Sequence, residues 1–301
     1  MNDTPSSNLW VVIPTYNRCE DLLSCLDSIV NAGLCKKNII VVDNHSQDDT
    51  IKQVYKKYPK INLIALADNK GATGASNIGF DFALGKNAEW VLRLDSDTVV
   101  AENFLTPLLD KALQDPKIGV IAPKIYYFEP SDEIWYAGAD SHRFHFGTIH
   151  DHRGEKDTPK NSYTREIDYA WGAAMLIRNE VLEQTGGFDD NFFIYYEEVD
   201  FCLKVRDLGF KLVFVPESHI WHKVGSTARN NWTAYHWNRS KMLLYRKHAR
   251  NVIHLAFLVC YAFSYALWSA SGNKKSGGNR GPLKNAFKGL IQGLTENLSK
   301  V

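Results

Sequence analysis

The chain has 301 residues, 45% hydrophobic and 23% charged, with 35 Lys plus Arg against 34 Asp plus Glu. This is ordinary globular composition with enough length for a large core, organised as one α/β domain or one domain with an appendage. Its five cysteines, Cys19, Cys25, Cys35, Cys202 and Cys260, are odd in number and lack any C-x-x-C spacing, which excludes a disulfide framework or a cysteine zinc site and points to a reduced, cytosolic setting. The apolar run Trp10 to Ile13 is too short for a secretory signal.

The first hundred residues alternate between two periods. LWVVIPTYN, from Leu9, is an apolar β-rich run broken by Pro14 and reads as a buried strand. CEDLLSCLDSIVNAG carries Leu22, Leu23, Leu26, Ile29 and Val30 at helical spacing, with Gly33 placed as a C-cap. NIIVVDNHSQDDT is a second strand leaving through Asp43, followed by the helix TIKQVYKKY. INLIALAD is a third strand, GASNIGFDFALG is helical, and EWVLRLDSD is a fourth strand. Strands alternating with helices predict parallel βαβ units with right-handed crossovers. Ligands of such sheets bind at the carboxyl ends of the strands, where Thr15, Asp43, Asp68 and Asp95 fall.

Several stretches carry chemistry. The loop NKGATGASNIG holds Gly71, Gly74 and Gly79 with Asn69 and Asn77. These residues allow close backbone approach and a helix N-terminus aimed at an anion, although the loop alone reads as a glycine-rich turn with a good cap. The loop is neither a P-loop nor a dinucleotide fingerprint, since it lacks Gly-Lys-Ser/Thr and does not follow the first strand. Asp95 and Asp97 drop two carboxylates, one residue apart, at the exit of an apolar strand. A divalent cation with positions open to phosphate oxygens would compensate them, although an isolated D-x-D is more often a turn. The acidic cluster in YYEEVDFCLKVR reads alone as a solvated helix start favoured by the helix dipole. His142, His145, His150 and His152 crowd one polar segment, which reads as an acceptor-side loop rather than a zinc site. Trp171-Gly172-Ala173-Ala174 is either a small-residue wall beside a donor sugar or a packed helix start.

Taken together, VVIPTYNR, VVDNHSQDDT, NKGATGASNIG and LRLDSD resemble, in order and spacing, the inverting family-2 glycosyltransferases of the GT-A type. WGAAMLIRNEVLEQTGGFDDNFFIYYEEVDFCLKVRDLGF and VPESHIWHKVGST extend the likeness from residue 9 to about 227 and look most like bacterial rhamnosyl- and galactofuranosyl-transferases. The resemblance implies an α/β GT-A fold, a mainly parallel central sheet flanked by helices, with a C-terminal helical appendage. It implies a catalytic domain over 1–240, with a donor half at about 9–100 and an acceptor half at about 101–230. The activity implied is transfer of a sugar from a nucleoside-diphosphate donor, UDP- or dTDP-linked, to a hydroxyl of a saccharide acceptor, lipid-linked, in cell-surface polysaccharide assembly. No nucleic-acid partner is implied.

Family roles transfer residue by residue. Thr15, Asn17 and Arg18 would lie along the nucleotide, Asp43 would bind the nucleobase edge, and Asn69, Gly71 and Asn77 would line the nucleoside-diphosphate pocket. Asp95 resembles the acid near ribose and sugar. Asp97 and His222 resemble ligands of Mn²⁺ or Mg²⁺, a reasonable donor set for either ion. The family's E-D-x-D reads E-E-V-D here, which makes Glu198 the general base with Glu197 as second choice; Asp200 and Arg206 read as structural. Rival readings are a nucleotidyltransferase or dehydrogenase using sugar nucleotides, and a non-catalytic nucleotide-sugar-binding module. The first pair wants a glycine-rich first loop, and PTYNRCED has no glycine; the module would not need a base, a D-x-D and a metal histidine together.

The rest of the chain differs in charge. Residues 241–301 hold ten Lys or Arg and one acid, Glu296, so a basic, partly apolar helical tail attached to an acidic body predicts an anionic partner. Val252 to Trp268 is mostly apolar and aromatic without Lys, Arg, Asp or Glu, at the lower limit for a span of about 17 residues. An interfacial helix or hairpin at the inner face of the cell membrane is expected, with Arg246, Lys247 and Arg250 before it and Lys274, Lys275, Arg280, Lys284 and Lys288 after. The same helix packed on the catalytic domain, or in a homodimer interface, is the alternative.

Overall fold

The computed structural model describes residues 8–142, 144–223, 231–270 and 283–298. Lys274, Lys275 and Arg280, and the end of VPESHIWHKVGST from Val224 onward, lie outside the described residues.

The N-terminal half follows the sequence pattern. Strands β1 (Leu9–Thr15), β2 (Ile39–Asp43) and β4 (Trp90–Leu94) are buried along their whole length. Continuous apolar runs of this kind are what a parallel sheet covered on both faces requires. Helix α1 (Cys19–Asn31) buries Leu22, Cys25, Leu26 and Ile29 along one stripe. Gly33 follows at φ 89, the left-handed conformation that a helix terminus asks of glycine. Helix α2 (Thr50–Lys57) and strand β3 (Asn62–Ala65) come next.

Helix α3 (Gly71–Leu84) begins earlier than expected. The Asn69 side chain accepts the Gly71 amide at 2.9 Å and starts the helix there. Gly74, Asn77 and Gly79 therefore lie on the helix and not in a phosphate-cradling loop. Gly79 has a packing role: a Cβ at that position would sit 2.2 Å from Val12 Cγ1, so only glycine lets α3 lie this close to β1.

Strand β5 (Thr98–Val100), helix α4 (Leu105–Gln114), strands β6 (Ile118–Tyr127), β7 (Ile134–Tyr136), β8 (Ala139–Ser141), β9 (Thr148–His150), β10 (Arg165–Ile167) and β11 (Ala174–Arg178), helices α5 (Asn179–Thr185) and α6 (Glu197–Asp207), and strand β12 (Lys211–His222) complete the body. The main sheet runs β10-β12-β6-β11-β4-β1-β2-β3, with β5 on β12 and β7 on β6. The parallel order holds across β4-β1-β2-β3 and again for β6 with β12. Strand β11 runs antiparallel to both β4 and β6 and joins the two parts. The pairing that builds the site is β5 against β12, which sets His222 opposite Thr98, one residue after Asp97.

Helices α7 (Asn231–His248), α8 (Val252–Ala270) and α9 (Leu283–Thr295) form the appendage. The boundary expected near residue 240 falls inside α7. A Cβ on Gly289 would meet Tyr235 O at 2.2 Å, and one on Gly293 would meet Arg239 O at 2.4 Å, so glycine lets α9 pack directly on the α7 backbone. Helix α8 buries Leu258, Ala262 and Ala266, and exposes Phe257, Tyr261, Tyr265 and Trp268. Among the described residues no helix is long and apolar enough to cross a membrane.

Candidate active site

The carboxyl ends of β1 and β2 form one side of a cleft. Thr15 and Asp43 are register partners, both buried, and Thr15 Oγ1 and Asp43 Oδ1 have no hydrogen-bond partner. Buried polar atoms are normally satisfied, so two orphans side by side at strand ends mark a place for a polar ligand. The other Asp43 oxygen accepts the Ser46 amide at 2.9 Å. Asn17 takes φ 51, donates its amide to Ser46 Oγ at 2.9 Å and accepts the Gln47 amide at 2.7 Å, which ties the first loop to the second. Arg18 is exposed and pairs with Asp21 at 3.0 Å.

Asn69 and Gly71 stand beside this cleft and are held by Asn44, a residue not singled out from the sequence. Asn44 Nδ2 donates to Asn69 Oδ1 and to the Gly71 carbonyl, both at 2.9 Å, and its oxygen accepts the Lys70 amide at 2.8 Å. Asn77 is elsewhere: it donates to Phe188 O and Asp190 Oδ1, each at 2.8 Å, and accepts the Phe188 amide at 2.9 Å. Its amide group is engaged in tying α3 to the loop before α6.

Asp95, Asp97 and His222 converge, with one ligand atom from each lying within 4.8 Å of the others. His222 Nε2 donates to Asp97 Oδ1 at 3.0 Å and lies 3.9 Å from Asp95 Oδ2, while its Nδ1 is buried without a partner. Burial pushes the Asp97 carboxyl up, but hydrogen bonding and charge attraction from His222 leave it below the usual range. Burial pulls the imidazole down, and Asp97 reverses this, so that His222 ends above its ordinary value. Two carboxylates and one imidazole, partly open to solvent, fit a hard or borderline divalent ion.

Asp95 has a further partner that sequence reading missed. Arg93 is buried inside β4, pairs with Asp95 Oδ1 at 2.6 Å and donates to the Gly172 carbonyl. The available signal was a lone arginine within an apolar strand, since a buried guanidinium demands a carboxylate or carbonyl partner. The segment Trp171 to Ala174 is a turn entering β11 and not a helix start. Its Ala173 carbonyl accepts the Asp95 amide at 3.0 Å.

Across Gly172 lie the paired glutamates. A Cβ on Gly172 would be 3.7 Å from both Arg93 Nη1 and Glu198 Cβ, so the guanidinium that neutralises Asp95 also stands beside Glu198. Glu197 is buried and Glu198 partly exposed, and each keeps an unpartnered Oε2. Burial, then the neighbouring Glu198, hold Glu197 well above the carboxylate range. Burial also raises Glu198, against the lowering pull of a backbone amide, Tyr169 and Arg93. Tyr169 Oη donates to Glu198 Oε1 at 3.0 Å. Asp200 is structural: Lys247, His248 and Lys204 surround it at 2.9, 2.8 and 3.1 Å. Burial raises its carboxyl, and these partners bring it down to about 2. Arg206 pairs with Asp168 at 2.8 Å.

The histidines split between two environments. His142 and His145 meet in a tilted arrangement with ring centroids 4.4 Å apart, and His145 stacks on Tyr261 of α8. His150 ends β9 and packs against Trp171 at 4.9 Å.

Residues 10–186 match the family described as Glycosyl transferase family 2. The chain is 27% identical over 244 residues to an N-acetylglucosaminyl-diphospho-decaprenol L-rhamnosyltransferase of Mycobacterium tuberculosis, covering 74% of this chain and 78% of that one. It is 28% identical over 221 residues to a dTDP-rhamnosyl transferase of Shigella flexneri, covering 73% and 70% respectively. Among solved structures, GalNAc-T7 with UDP, GalNAc and Mn²⁺ superposes with a TM-score of 0.64 at 17% identity. That match covers 96% of this chain but 56% of the other, so the present chain spans little more than half of that protein. The likeness establishes the GT-A fold.

Proposed function

Since the chain belongs to glycosyl transferase family 2, we propose that it is an inverting, metal-dependent transferase. It moves a sugar from a UDP- or dTDP-linked donor to a hydroxyl of a lipid-linked saccharide acceptor in cell-surface polysaccharide assembly. The dTDP-rhamnosyl and diphospho-decaprenol relatives support rhamnose as the sugar and a polyprenyl diphosphate as the acceptor's anchor. The observation that carries the reading is the Asp95–Asp97–His222 cluster with Arg93, the partner of Asp95, and Glu198, which keeps an unpartnered oxygen, both lying against Gly172. This juxtaposes a leaving-group site with a base.

In this mechanism Thr15 and Asp43 hold the nucleoside, with Asn17, Arg18, Asn69 and Gly71 around it. Asp95 is fixed by Arg93 near the ribose and sugar. Asp97 and His222 would hold Mn²⁺ or Mg²⁺, which would supply positive charge to the departing diphosphate. Glu198 takes the proton of the acceptor hydroxyl. The oxygen attacks the anomeric carbon in line with the departing diphosphate, so configuration inverts without a covalent glycosyl-enzyme. Incubation with a panel of nucleotide sugars and Mn²⁺, read by mass spectrometry, tests the proposal: donor-dependent transfer or slow donor hydrolysis is expected. Inertness toward every donor would remove it.

The proposal extends to the membrane. Helix α8 exposes Val252, Ile253, Phe257, Tyr261, Tyr265 and Trp268, although Phe257 and Tyr261 also meet Phe144 and His145 of the body, and its buried side packs on the other tail helices. This supports a helix lying at the headgroup level of the cytoplasmic leaflet. Of the basic flanks, Arg246 donates to Gly293 O and Glu296 O at 2.9 Å each, and Lys247 pairs with Asp189 and Asp200. Those two are internal structure, which leaves Arg250, Lys284 and Lys288 on the surface among the described residues. Flotation should therefore occur with anionic vesicles at low salt and weaken at high salt. Failure of the full chain to float at any salt would refute this part.

A further inference from the structure

The residues leading into Glu197 and Glu198 adopt a backbone that their own sequence does not favour. Tyr195 and Tyr196 both lie in the left-handed region, at φ 68 and 67. This is unfavourable for any residue with a Cβ and rare for two bulky residues in succession. Tyr196 is the N-cap of α6, and no side chain caps that helix. Something outside the segment must hold it.

Helix α7 does so along its length. His236 stacks on Phe193 at 5.2 Å, and Trp237 meets Tyr195 at 5.2 Å and Tyr196 at 5.0 Å. Ser240 Oγ donates to the Ile194 carbonyl at 2.8 Å, and Arg239 donates to the Asn191 carbonyl at 3.1 Å. Two turns further on, Lys247 joins Asp189 to Asp200, and His248 hydrogen-bonds Asp200 at 2.8 Å. The segment from Asp189 to Asp200 is thus fastened to α7 at both ends and in the middle, and α7 is braced by α9 through Arg239 and Glu296 at 2.8 Å. All of this lies beyond the residues that the family match covers.

We propose that α7 is a positioning element of the catalytic site, with Trp237 and Ser240 holding the left-handed turn that aims the Glu197–Glu198 pair. This rests on the reading that one of these carboxylates is the base. Strained turns at active sites persist when surrounding structure over-determines them, and small displacements of a reacting group can lower the rate by about 10²-fold. The tail that looks like an appendage is then part of the machinery.

The full chain carrying Trp237→Ala or Ser240→Ala tests it. Trp237 is 41% exposed, so its truncation removes the contact with the two tyrosines without emptying the core. Ser240 is fully buried and out of reach of any acceptor. Each variant should lose about 10–100-fold in kcat, keep the wild-type affinity for nucleoside diphosphate with Mn²⁺, and recover with Trp237→Phe in the first case. The effect should shrink below about twofold in a background where the base is already removed. That background is whichever of Glu198→Gln and Glu197→Gln is inactive, so an error in choosing the base leaves the test standing. An unchanged kcat with raised acceptor KM for Trp237→Ala would make it an acceptor contact and overturn the proposal. So would a kcat loss that persists in full without the base.

Discussion

Replacing Glu198 by Gln should lower turnover by ~10²–10⁴-fold, the usual contribution of a general base, with little change in donor affinity. The substitution keeps the side chain's size and its acceptor oxygen for Tyr169, so only basicity is lost. The choice between the adjacent acids rests on environment. Successive residues on a helix point about 100° apart, so one alone can face the sugar. Glu197 is buried, and burial followed by the adjacent Glu198 holds its carboxyl well above the carboxylate range, which disfavours the ionised form a base needs. Burial raises Glu198 too, but the Tyr169 hydroxyl, which Glu197 lacks, favours its ionised form, and the residue as a whole is less buried than Glu197. Steady-state kinetics with a saturating donor decide the matter. An active Glu198→Gln beside an inactive Glu197→Gln would assign the base to the other neighbour.

Those parts of the molecule governed by local pattern were readable in advance. The runs around Val12, Val41 and Leu92 are apolar on both faces and became buried strands of one sheet. The stripe through Leu22, Leu26 and Ile29 became the inner face of α1. The start of α3 was not readable, because it depends on a turn in which Asn69 accepts the Gly71 amide, with Asn69 itself held by Asn44 from another loop. The glycines read as close backbone approach or a capped turn, whereas Gly79 is small in order to pass Val12.

Long-range pairing explains the remaining differences. His222 reaches Asp97 through the register of β12 on β5, a contact between residues 125 apart in sequence; only the family resemblance pointed to it. Arg246 and Lys247 counted toward a basic tail, yet tertiary structure uses both inside the molecule. Composition cannot separate a solvated charge from a paired one. The turn at Tyr195 and Tyr196 leaves no mark in periodicity, since aromatic residues there read equally well as helix or strand.

The second large effect is expected at Asp97. With alanine there, transfer should be abolished and nucleoside diphosphate binding in Mn²⁺ should weaken by at least about 10-fold. Lost outer-shell partners alone can have effects of that size on metal affinity. The physical reason is the composition of the cluster. His222 donates its Nε2 proton to Asp97, and its Nδ1 lacks a partner. Removing the carboxylate leaves the imidazole with neither its hydrogen bond nor the charge that raises its affinity for a cation. Asp95 compensates only in part, because its Oδ1 is paired with Arg93 at 2.6 Å from within β4. Thermal unfolding supplies a readout independent of turnover. A ligand that binds only the native state raises the melting temperature with its concentration, so Mn²⁺ with nucleoside diphosphate should stabilise the wild-type chain and leave Asp97→Ala unmoved. Equal stabilisation of both proteins would place the metal elsewhere. A variant that melts normally without ligand but no longer responds to the metal would tie the cation to the exit of β4, where Asp97 faces His222.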